Sequence, residues 1–346
     1  MFYKPEEFEK NPNDPFTLAR KLLESQQQHK QATGEFTHLL GSISTAIKFI
    51  SYKCRRAGIA NLYGSSGDTN ATGDSQKKID VLANEVLINC LSHCGIVGVM
   101  GSEEENDAII VDLPKSGKYV VAFDPLDGSS NIDCNGSIGV IFGIWKRLSP
   151  LGEIGNKYDL LQSGKAVVAA GYAVFGSSTQ LVLAYDNEVN GFTMDTTIGE
   201  FLLTHPHIKI KERSSTYSIN EGNAAQWDEA ITEYVHTRKF PPPGGHAYSL
   251  RYIGSFVADL HRTLLYGGVF MYPADKKCPA GKLRLLYECI PMAYIIHVAG
   301  GKAIDGTKDI LEIVPKEIHQ KCGIIIGSKL EVEEIERLYK KYGKDF

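Results

Sequence analysis

One short apolar segment of the chain leads directly into an acidic segment, and this order limits the folds that the chain can adopt. Tyr119–Phe123 has the pattern of a short buried strand, and the next eight residues, Asp124–Asn131, read D-P-L-D-G-S-S-N. A short apolar run bounded by turn residues indicates a strand buried within a layered α/β protein. Ligands and catalytic groups in such sheets collect at the carboxyl ends of strands. The pattern therefore predicts that Asp124 and Asp127 lie at a functional edge of a sheet.

A second acidic segment follows another predicted strand. Ile96–Met100 is apolar and leads into Ser102–Glu105, which carries three consecutive glutamates. Carboxylate oxygens suit Mg²⁺ or Mn²⁺ rather than soft metals. Two such ions, about 3.5–4 Å apart, can stabilise the attacking and leaving oxygens in a displacement at phosphorus. The acidic segments therefore suggest metal-assisted attack on a phosphate ester, and the alternative is a solvated acidic loop before a capped helix.

The rest of the chain predicts a mixed α/β layered architecture. Helical and strand periodicities alternate without repeats, and their character changes near residue 200, which predicts domains over 1–200 and 201–346. Gly58–Asp74 is rich in Gly, Ser, Thr, Asn and Asp and predicts a loop. Thr33 is the predicted cap of the helix that follows it. We expect helices at 18–23, 36–50, 79–91, 224–238, 254–266, 281–299 and 330–342, and strands at 96–100, 119–123, 137–145, 166–174, 179–185, 268–272, 302–305 and 323–327, with a hairpin turn at 187–191.

Charge and composition exclude several classes of partner. The net charge of −4 and the lack of a basic stripe argue against nucleic acid. The near-apolar run Ala166–Gly176 is about half of what a membrane span needs. A polar beginning and seven scattered cysteines predict a reducing, cytoplasmic location. Ser328-Lys329-Leu330 is a peroxisomal signal only at a C-terminus, so a peroxisome-like organelle stays open if the chain is trimmed there.

The motifs resemble those of a known family. Asp124–Asn131 resembles the metal-binding signature of the lithium-sensitive, Mg²⁺-dependent phosphomonoesterases, which include inositol monophosphatase. Further motifs narrow the resemblance to class I fructose-1,6-bisphosphatase and follow the order of that family from about residue 20 to residue 340: Asn70–Asp74, Lys77–Leu82, Gly117–Val121, Val257–Asp259 and Gly281–Glu288.

The resemblance implies a fold, a reaction and a set of catalytic groups. The fold would be a five-layer α/β/α/β/α arrangement with two mixed sheets, and the reaction would be metal-dependent hydrolysis of the 1-phosphate of fructose 1,6-bisphosphate, with two or three Mg²⁺ or Mn²⁺ ions per site. The positions that match the metal ligands are Glu103, Asp124, the Leu126 carbonyl, Asp127 and Glu288. Those that match the groups activating the attacking water are Asp74, Asp80 and Glu104.

The resemblance also implies a set of substrate-binding residues, an inhibitor site and an oligomeric state. The 1-phosphate cradle matches Gly128, Ser129 and Ser130, and the pocket for the retained 6-phosphate and sugar matches Asn220, Tyr252, Tyr272 and Lys282. Arg251 matches a residue lent to a neighbouring subunit, which implies a homotetramer. An inhibitory AMP site would lie away from the chemistry, at Thr33, Gly34, Glu35, Thr37, Lys118, Tyr119 and Lys146.

Some positions depart from the family pattern. Lys146 stands where animal members have an arginine, which keeps the charge but loses the planar fork and predicts weaker AMP binding. Asn223 replaces a tyrosine near the 6-phosphate, and Phe256 replaces a methionine beside the sugar. Two alternative functions stay open: the same chemistry on sedoheptulose bisphosphate or an inositol phosphate, and a silent sensor of sugar phosphate or AMP.

Overall fold

The computed structural model describes residues 14–70, 73 and 75–344, in which helices and strands alternate. The helices of this part are α1 Leu18–Gln28, α2 Glu35–Cys54, α3 Lys78–His93, α4 Glu229–Lys239, α5 Phe256–Tyr266, α6 Ile290–Val298 and α7 Lys329–Tyr342. The strands are β1 Ser65–Thr69, β2 Ser75–Lys77, β3 Val97–Ser102, β4 Ile109–Ile110, β5 Tyr119–Asp127, β6 Ile138–Lys146, β7 Val167–Phe175, β8 Thr179–Tyr185, β9 Glu188–Asp195, β10 Glu200–His205, β11 Thr216–Ser218, β12 Ser249–Leu250, β13 Val269–Tyr272, β14 Leu283–Arg284, β15 Lys302–Ile304, β16 Lys321–Cys322 and β17 Ile324–Gly327.

Two mixed sheets organise these strands. The larger has eight strands in the order β10-β9-β8-β7-β6-β5-β3-β4, and the smaller has five in the order β12-β11-β13-β17-β15. In the larger sheet β3 and β5 are parallel, whereas in the smaller sheet β12, β11 and β13 are parallel. Their remaining pairs are antiparallel, and two separate two-stranded ladders join β1 to β2 and β14 to β16. Each sheet thus has a parallel portion whose carboxyl-terminal edge can carry a site.

The protein has five layers because each of the two sheets is covered by helices on both faces. Side chains alternate between the faces of a strand, and along β5 Val121 and Phe123 pack on the side of α2 and α3. Val120 and Ala122 pack on the opposite side, in the cluster that contains α5, α6 and the inner face of the smaller sheet. The outer face of the smaller sheet packs against α4 and α7. The order helix, sheet, helix, sheet, helix confirms the expected fold class.

The structure corrects several local expectations. Part of the segment predicted to be a loop, 58–74, forms β1, which pairs with β2 because hydrogen bonding between the strands outweighs a poor strand propensity. Thr33 does not cap α2; the capping position is Gly34, which has a left-handed backbone with φ of 85°. The segment 281–299 begins as β14 and a π-helical turn, Leu285–Cys289, before α6 starts.

Two further differences concern strand boundaries. The turn predicted at 187–191 is shorter, because Glu188 already begins β9 opposite Tyr185 on β8. β10 was missed, although it extends the larger sheet by pairing with β9. The predicted division of the chain near residue 200 stays a prediction.

Candidate active site

A β-bulge turns two aspartates to the same side of the larger sheet. The ladder between β5 and β6 pairs Asp124 with Ile141 and then Asp127 with Gly139, so three steps along β5 match two steps along β6. Residues three apart on a regular strand face opposite sides, and the extra residue of a bulge restores them to the same side. The sequence D-P-L-D thus presents both carboxylates to the middle helical layer.

A third carboxylate reaches the same point from the C-terminal half. Glu288 lies in the π-helical turn Leu285–Cys289, a geometry that is frequent at functional sites. Within the described residues, ligand atoms of Asp124, Asp127 and Glu288 lie within 4.8 Å of one another, and all three side chains are buried. The chain therefore collects three acidic groups from two segments that are far apart in sequence.

Local hydrogen bonds hold each of these carboxylates. Asp124 accepts from the Leu126 amide at 2.9 Å, and Glu288 accepts from the Arg284 amide at 2.6 Å. Asp127 accepts from the Val257 amide of α5 at 2.7 Å and from the Ser255 hydroxyl at 3.2 Å. These bonds fix the direction of the oxygens before any ligand arrives.

Burial raises the pKa of all three groups, and repulsion by neighbouring carboxylates adds to it. Burial is the largest cause, and it raises the pKa of Asp127 to about 6. The pKa of Asp124 and that of Glu288 are raised in the same way, with the charge of Glu103 as the next cause for both. A cluster of buried carboxylates is unfavourable by itself and is relieved by a cation. Since all donors are carboxylate oxygens, the site fits a hard divalent ion such as Mg²⁺ or Mn²⁺.

Glu103 lies at the margin of this cluster and faces a buried arginine. It follows β3, whose last residues run parallel to β5, so both acidic segments meet at one edge of the sheet. The Arg284 guanidinium lies 3.8 Å from the Glu103 carboxylate and donates to the Lys282 carbonyl oxygen at 2.7 Å. Arg284 is only 4% exposed, so its positive charge offsets part of the negative charge of the site.

Two further carboxyl groups, those of Asp80 and Glu104, have pKa values suited to proton transfer. Burial raises the pKa of Asp80 to about 7 and that of Glu104 to about 7. Asp80 accepts from the Lys77 amide at 2.7 Å, and Glu104 accepts from the Gln76 side chain at 2.5 Å. The charge of Glu104 further raises the pKa of Asp80, so the two carboxyls are electrostatic neighbours. Asp74, the third predicted catalytic acid, lies outside the described residues.

The residues after the bulge form a tight turn. Gly128 has φ of 73° and precedes a 3₁₀-helix, Ser129–Cys134. A Cβ on Gly128 would lie 2.6 Å from the Ser255 hydroxyl oxygen, so both the backbone angle and the space favour glycine. Ser129 and Ser130 follow directly, and a side-chain hydrogen bond from Ser129 lowers the pKa of Asp80.

The edge of the smaller sheet collects the predicted sugar and 6-phosphate residues other than Lys282. Asn220 follows β11, Arg251 and Tyr252 follow β12, and Tyr272 ends β13, and these three strands are parallel neighbours. Burial raises the pKa of Tyr252 to about 12, and the next cause is its neighbour Tyr272. Asn220 accepts from the Gly222 amide at 3.0 Å. Lys282 is exposed and precedes β14.

The predicted nucleotide residues surround a separate cavity of about 740 Å³. Six of the seven line it, namely Thr33, Gly34, Thr37, Lys118, Tyr119 and Lys146. The seventh, Glu35, pairs with the Lys118 ammonium and accepts from the Thr33 hydroxyl. Both bonds lower the pKa of Glu35, with Lys118 as the larger cause.

The sequence analysis gave no role to Asp259, which it named only within the motif Val257–Asp259, and it did not name Ser255. Asp259 is fully buried and accepts from the Ile253 and Gly254 amides and from the Ser218 hydroxyl, all at 3.0 Å. It therefore fixes the turn that follows Tyr252. The sequence signal for Asp259 was an aspartate next to the apolar start of α5. Nothing in the sequence indicated that Ser255 contacts Asp127.

A layered α/β chain that gathers carboxylates at one buried point is typical of metal-dependent phosphatases. Two family models match this chain, "Fructose-1-6-bisphosphatase, N-terminal domain" over residues 16–206 and "Fructose-1-6-bisphosphatase, C-terminal domain" over residues 210–340. Together they span most of the sequence. The chain belongs to the fructose-1,6-bisphosphatase family, which lies within the inositol monophosphatase-like superfamily.

Similar proteins agree with this family. The chain is 55% identical over 326 residues to fructose-1,6-bisphosphatase 1 of Bos taurus, with 94% of this chain and 96% of that protein covered. It is 50% identical over 332 residues to the cytosolic fructose-1,6-bisphosphatase of Brassica napus, covering 96% and 97%. The crystal structure of Leishmania major fructose-1,6-bisphosphatase in holo form superposes with a TM-score of 0.89, at 44% identity over 94% of this chain and 99% of that one. Among the described residues no helix has the length and apolar character needed to cross a membrane.

Proposed function

We propose that this protein hydrolyses the 1-phosphate ester of D-fructose 1,6-bisphosphate to fructose 6-phosphate and phosphate, a gluconeogenic step. The buried cluster of Asp124, Asp127 and Glu288 carries this proposal, in a chain whose relatives at 50–55% identity are named fructose-1,6-bisphosphatases. An acidic oxygen-donor cluster of this kind is what metal-assisted phosphoryl transfer requires.

The residues that would hold the metal follow from the donors present. Asp124, Asp127 and Glu288 are the core of the set, with Glu103 and the carbonyl of Leu126 as further ligands. We propose two or three Mg²⁺ or Mn²⁺ ions per site. When bound, the ions supply positive charge that orients the 1-phosphate and lowers the pKa of a water molecule.

The neighbouring side chains supply proton transfer and positioning. Asp80 and Glu104, both with a pKa of about 7, accept the proton of the attacking water, and Asp74 is proposed to act with them. The amides and hydroxyls of Gly128, Ser129 and Ser130 are proposed to donate to the 1-phosphate, because a left-handed glycine before two serines leaves backbone donors free to approach an anion.

The smaller sheet is proposed to anchor the other end of the substrate. Asn220, Tyr252, Tyr272 and Lys282 would bind the sugar and the 6-phosphate, and the exposed Arg251 would contribute to the site of a second subunit in a homotetramer. Binding energy from a remote phosphate orients the reacting ester. The substrate-binding half would begin near residue 201, after an N-terminal half over 1–200.

The 740 Å³ cavity is the proposed site of AMP inhibition. Lys118 and Lys146 would bind the phosphate with the start of α2, while Tyr119 and Thr37 complete the walls. We propose weaker AMP binding than in members that carry arginine at position 146. The plant relatives are named cytosolic, which supports a cytoplasmic location, while a peroxisome-like organelle remains our alternative for a trimmed chain.

The test is phosphate release from fructose 1,6-bisphosphate with Mg²⁺, with and without AMP, beside sedoheptulose 1,7-bisphosphate and inositol 1-phosphate. We expect rapid release from fructose 1,6-bisphosphate that AMP suppresses, and none from inositol 1-phosphate. Equal or faster release from sedoheptulose 1,7-bisphosphate would reassign the substrate. Binding of metal and substrate without release would identify a silent sensor, although Asp80, Glu103, Glu104, Asp124, Asp127 and Glu288 are all present.

A further inference from the structure

One histidine bridges the two halves of the chain directly beside the acidic cluster. His319 lies just before β16, and its Nδ1 is 2.8 Å from the Tyr287 hydroxyl oxygen. Its Nε2 is 2.9 Å from the carbonyl oxygen of Glu105. The rings of Tyr287 and His319 meet edge to face, with centroids 5.8 Å apart. One imidazole therefore contacts the segment that carries Glu288 and the segment that carries Glu103 and Glu104.

The partners of the ring determine where its proton lies. A backbone carbonyl can only accept a hydrogen bond, so Nε2 of His319 must carry the hydrogen that Glu105 receives. Burial lowers the pKa of His319, which favours the neutral ring. In that form Nδ1 has a lone pair and accepts from the Tyr287 hydroxyl. The His319 ring therefore donates a hydrogen bond to the Glu105 carbonyl and accepts one from the Tyr287 hydroxyl.

The opposite side of the Glu103–Glu105 segment is held from α3. Asn84 donates to the Glu105 carboxylate at 2.8 Å and accepts from the Ser102 hydroxyl at 2.7 Å. The Ser102 hydroxyl oxygen in turn accepts from the Glu104 amide at 3.2 Å. The acidic segment is therefore fixed on one side by its own half of the chain and on the other side by His319.

We propose that His319 is a positioning residue that sets the separation between the Glu103–Glu105 segment and Glu288. The inference rests on the metal site proposed above. Glu103 and Glu288 reach the cluster on separate segments, and His319 bonds to the residue next to Glu288 and to one two residues beyond Glu103. Groups that orient ligands without touching the metal typically change its affinity by about 10–100-fold when they are lost.

Two substitutions separate the two bonds of the ring. His319→Gln places an amide nitrogen near the position of Nε2 and keeps the donor to Glu105. His319→Asn places its amide near Nδ1, keeps a partner for Tyr287 and cannot reach Glu105. His297→Asn is the matched control, because His297 is an exposed residue on α6. Tyr287→Phe, which keeps the ring and removes the hydroxyl, is a second variant should His319→Asn fail to fold.

The measurement is Mn²⁺ binding to the substrate-free protein, with free Mn²⁺ counted by electron paramagnetic resonance. We expect His319→Asn to weaken Mn²⁺ binding about tenfold. His319→Gln and Tyr287→Phe both lose the Tyr287 bond and keep the donor to Glu105, so each should weaken Mn²⁺ binding by about two- to threefold. In the kinetic assay, the Mg²⁺ concentration for half-maximal rate should rise in parallel, with little change in KM for the sugar bisphosphate. His297→Asn should match the wild type in both assays.

The outcomes separate this proposal from the one it rests on. A wild-type protein that binds no Mn²⁺ would refute the metal site itself. Wild-type Mn²⁺ affinity in His319→Asn, or in Tyr287→Phe, would overturn the role of His319 and leave the metal site intact. A loss in His319→Gln as large as in His319→Asn, in proportion to a fall in Tm, would show that the residue only stabilises the fold.

Discussion

Replacing Asp124 with asparagine should make the metal-free protein more stable while it abolishes turnover. Asp124 is 2% exposed, and its carboxylate lies within 4.8 Å of two others. Its one backbone bond, from the Leu126 amide at 2.9 Å, can be kept by the amide oxygen of asparagine. The substitution therefore removes a repelled charge and preserves the local geometry. We therefore expect the free energy of unfolding without metal to rise, and the rate of phosphate release with metal to fall.

The separation of the carboxylates gives the size of the stabilisation. A pair of unit charges 4.8 Å apart repels by about 3 kcal/mol at an effective dielectric constant of about 20. Burial, and after it the charges of Glu103, Asp127 and Glu288, raise the pKa of Asp124 well above its usual value, so the carboxylate form of Asp124 is the destabilised one. A carboxyl with a raised folded-state pKa loses stability as pH rises through its unfolded value to its folded one. The advantage of Asp124→Asn should therefore be absent below about pH 4, where the carboxyl is protonated in both states, and should grow as the pH rises towards the raised pKa of Asp124.

The assay is urea unfolding at neutral pH in EDTA and again in Mg²⁺. We expect a gain of about 3 kcal/mol for Asp124→Asn in EDTA, and a smaller response to Mg²⁺ than in the wild type. Asp159→Asn is the matched control, since Asp159 is equally buried but accepts from the Leu148, Ser149 and Asn156 amides. It should lose about 1–3 kcal/mol. A loss of stability in Asp124→Asn in EDTA, or retained phosphate release, would refute the reasoning.

Three other predictions concern the substrate, the cavity and pH. Lys282→Ala should raise KM for fructose 1,6-bisphosphate at least tenfold with a smaller effect on kcat, because Lys282 is proposed to anchor the remote phosphate; steady-state kinetics showing the reverse would place it in the chemistry. Lys118→Ala should abolish AMP inhibition of phosphate release without changing the uninhibited rate, whereas Lys115→Ala, an exposed neighbour, should leave inhibition intact. Because the pKa values of Asp80 and Glu104 are about 7, a pH profile of kcat should fall below pH 7 as the two bases become protonated, and a flat profile would contradict their role.

The sequence predicted those parts of the site that depend on local pattern. Tyr119–Phe123 leading into Asp124 and Asp127 was recognisable because an apolar strand that ends in acids is uncommon on a solvated surface. The bulge that turns both aspartates to one side was not, because it depends on pairing with β6 and on Gly139. A Cβ at Gly139 would lie 2.1 Å from the Ala173 carbonyl oxygen, a constraint that no local propensity reveals.

The contacts that the site residues make with one another could not be predicted from the sequence. Ser255 and Asp127, or His319 and Glu105, are brought together by the packing of one half of the chain on the other. Local composition also failed where pairing outweighs it, as in β1, whose Ser-Ser-Gly-Asp-Thr sequence has no strand-forming pattern. Long apolar periodicities, such as those of α2 and β7, were predicted to within a few residues.

The strand pair β5–β6 runs without interruption from the cavity to the acidic cluster. Tyr119 and Lys146, which line the cavity, pair at one end, and Asp124 and Ile141 pair five residues further along, roughly 17 Å away. A cavity ligand that changed the twist of this strand pair would therefore act on the same two strands that carry Asp124. Thermodynamic reciprocity then requires that a cavity ligand which weakens cation binding by a given factor is itself weakened by the cation by that same factor. The two occupants would compete although they never touch.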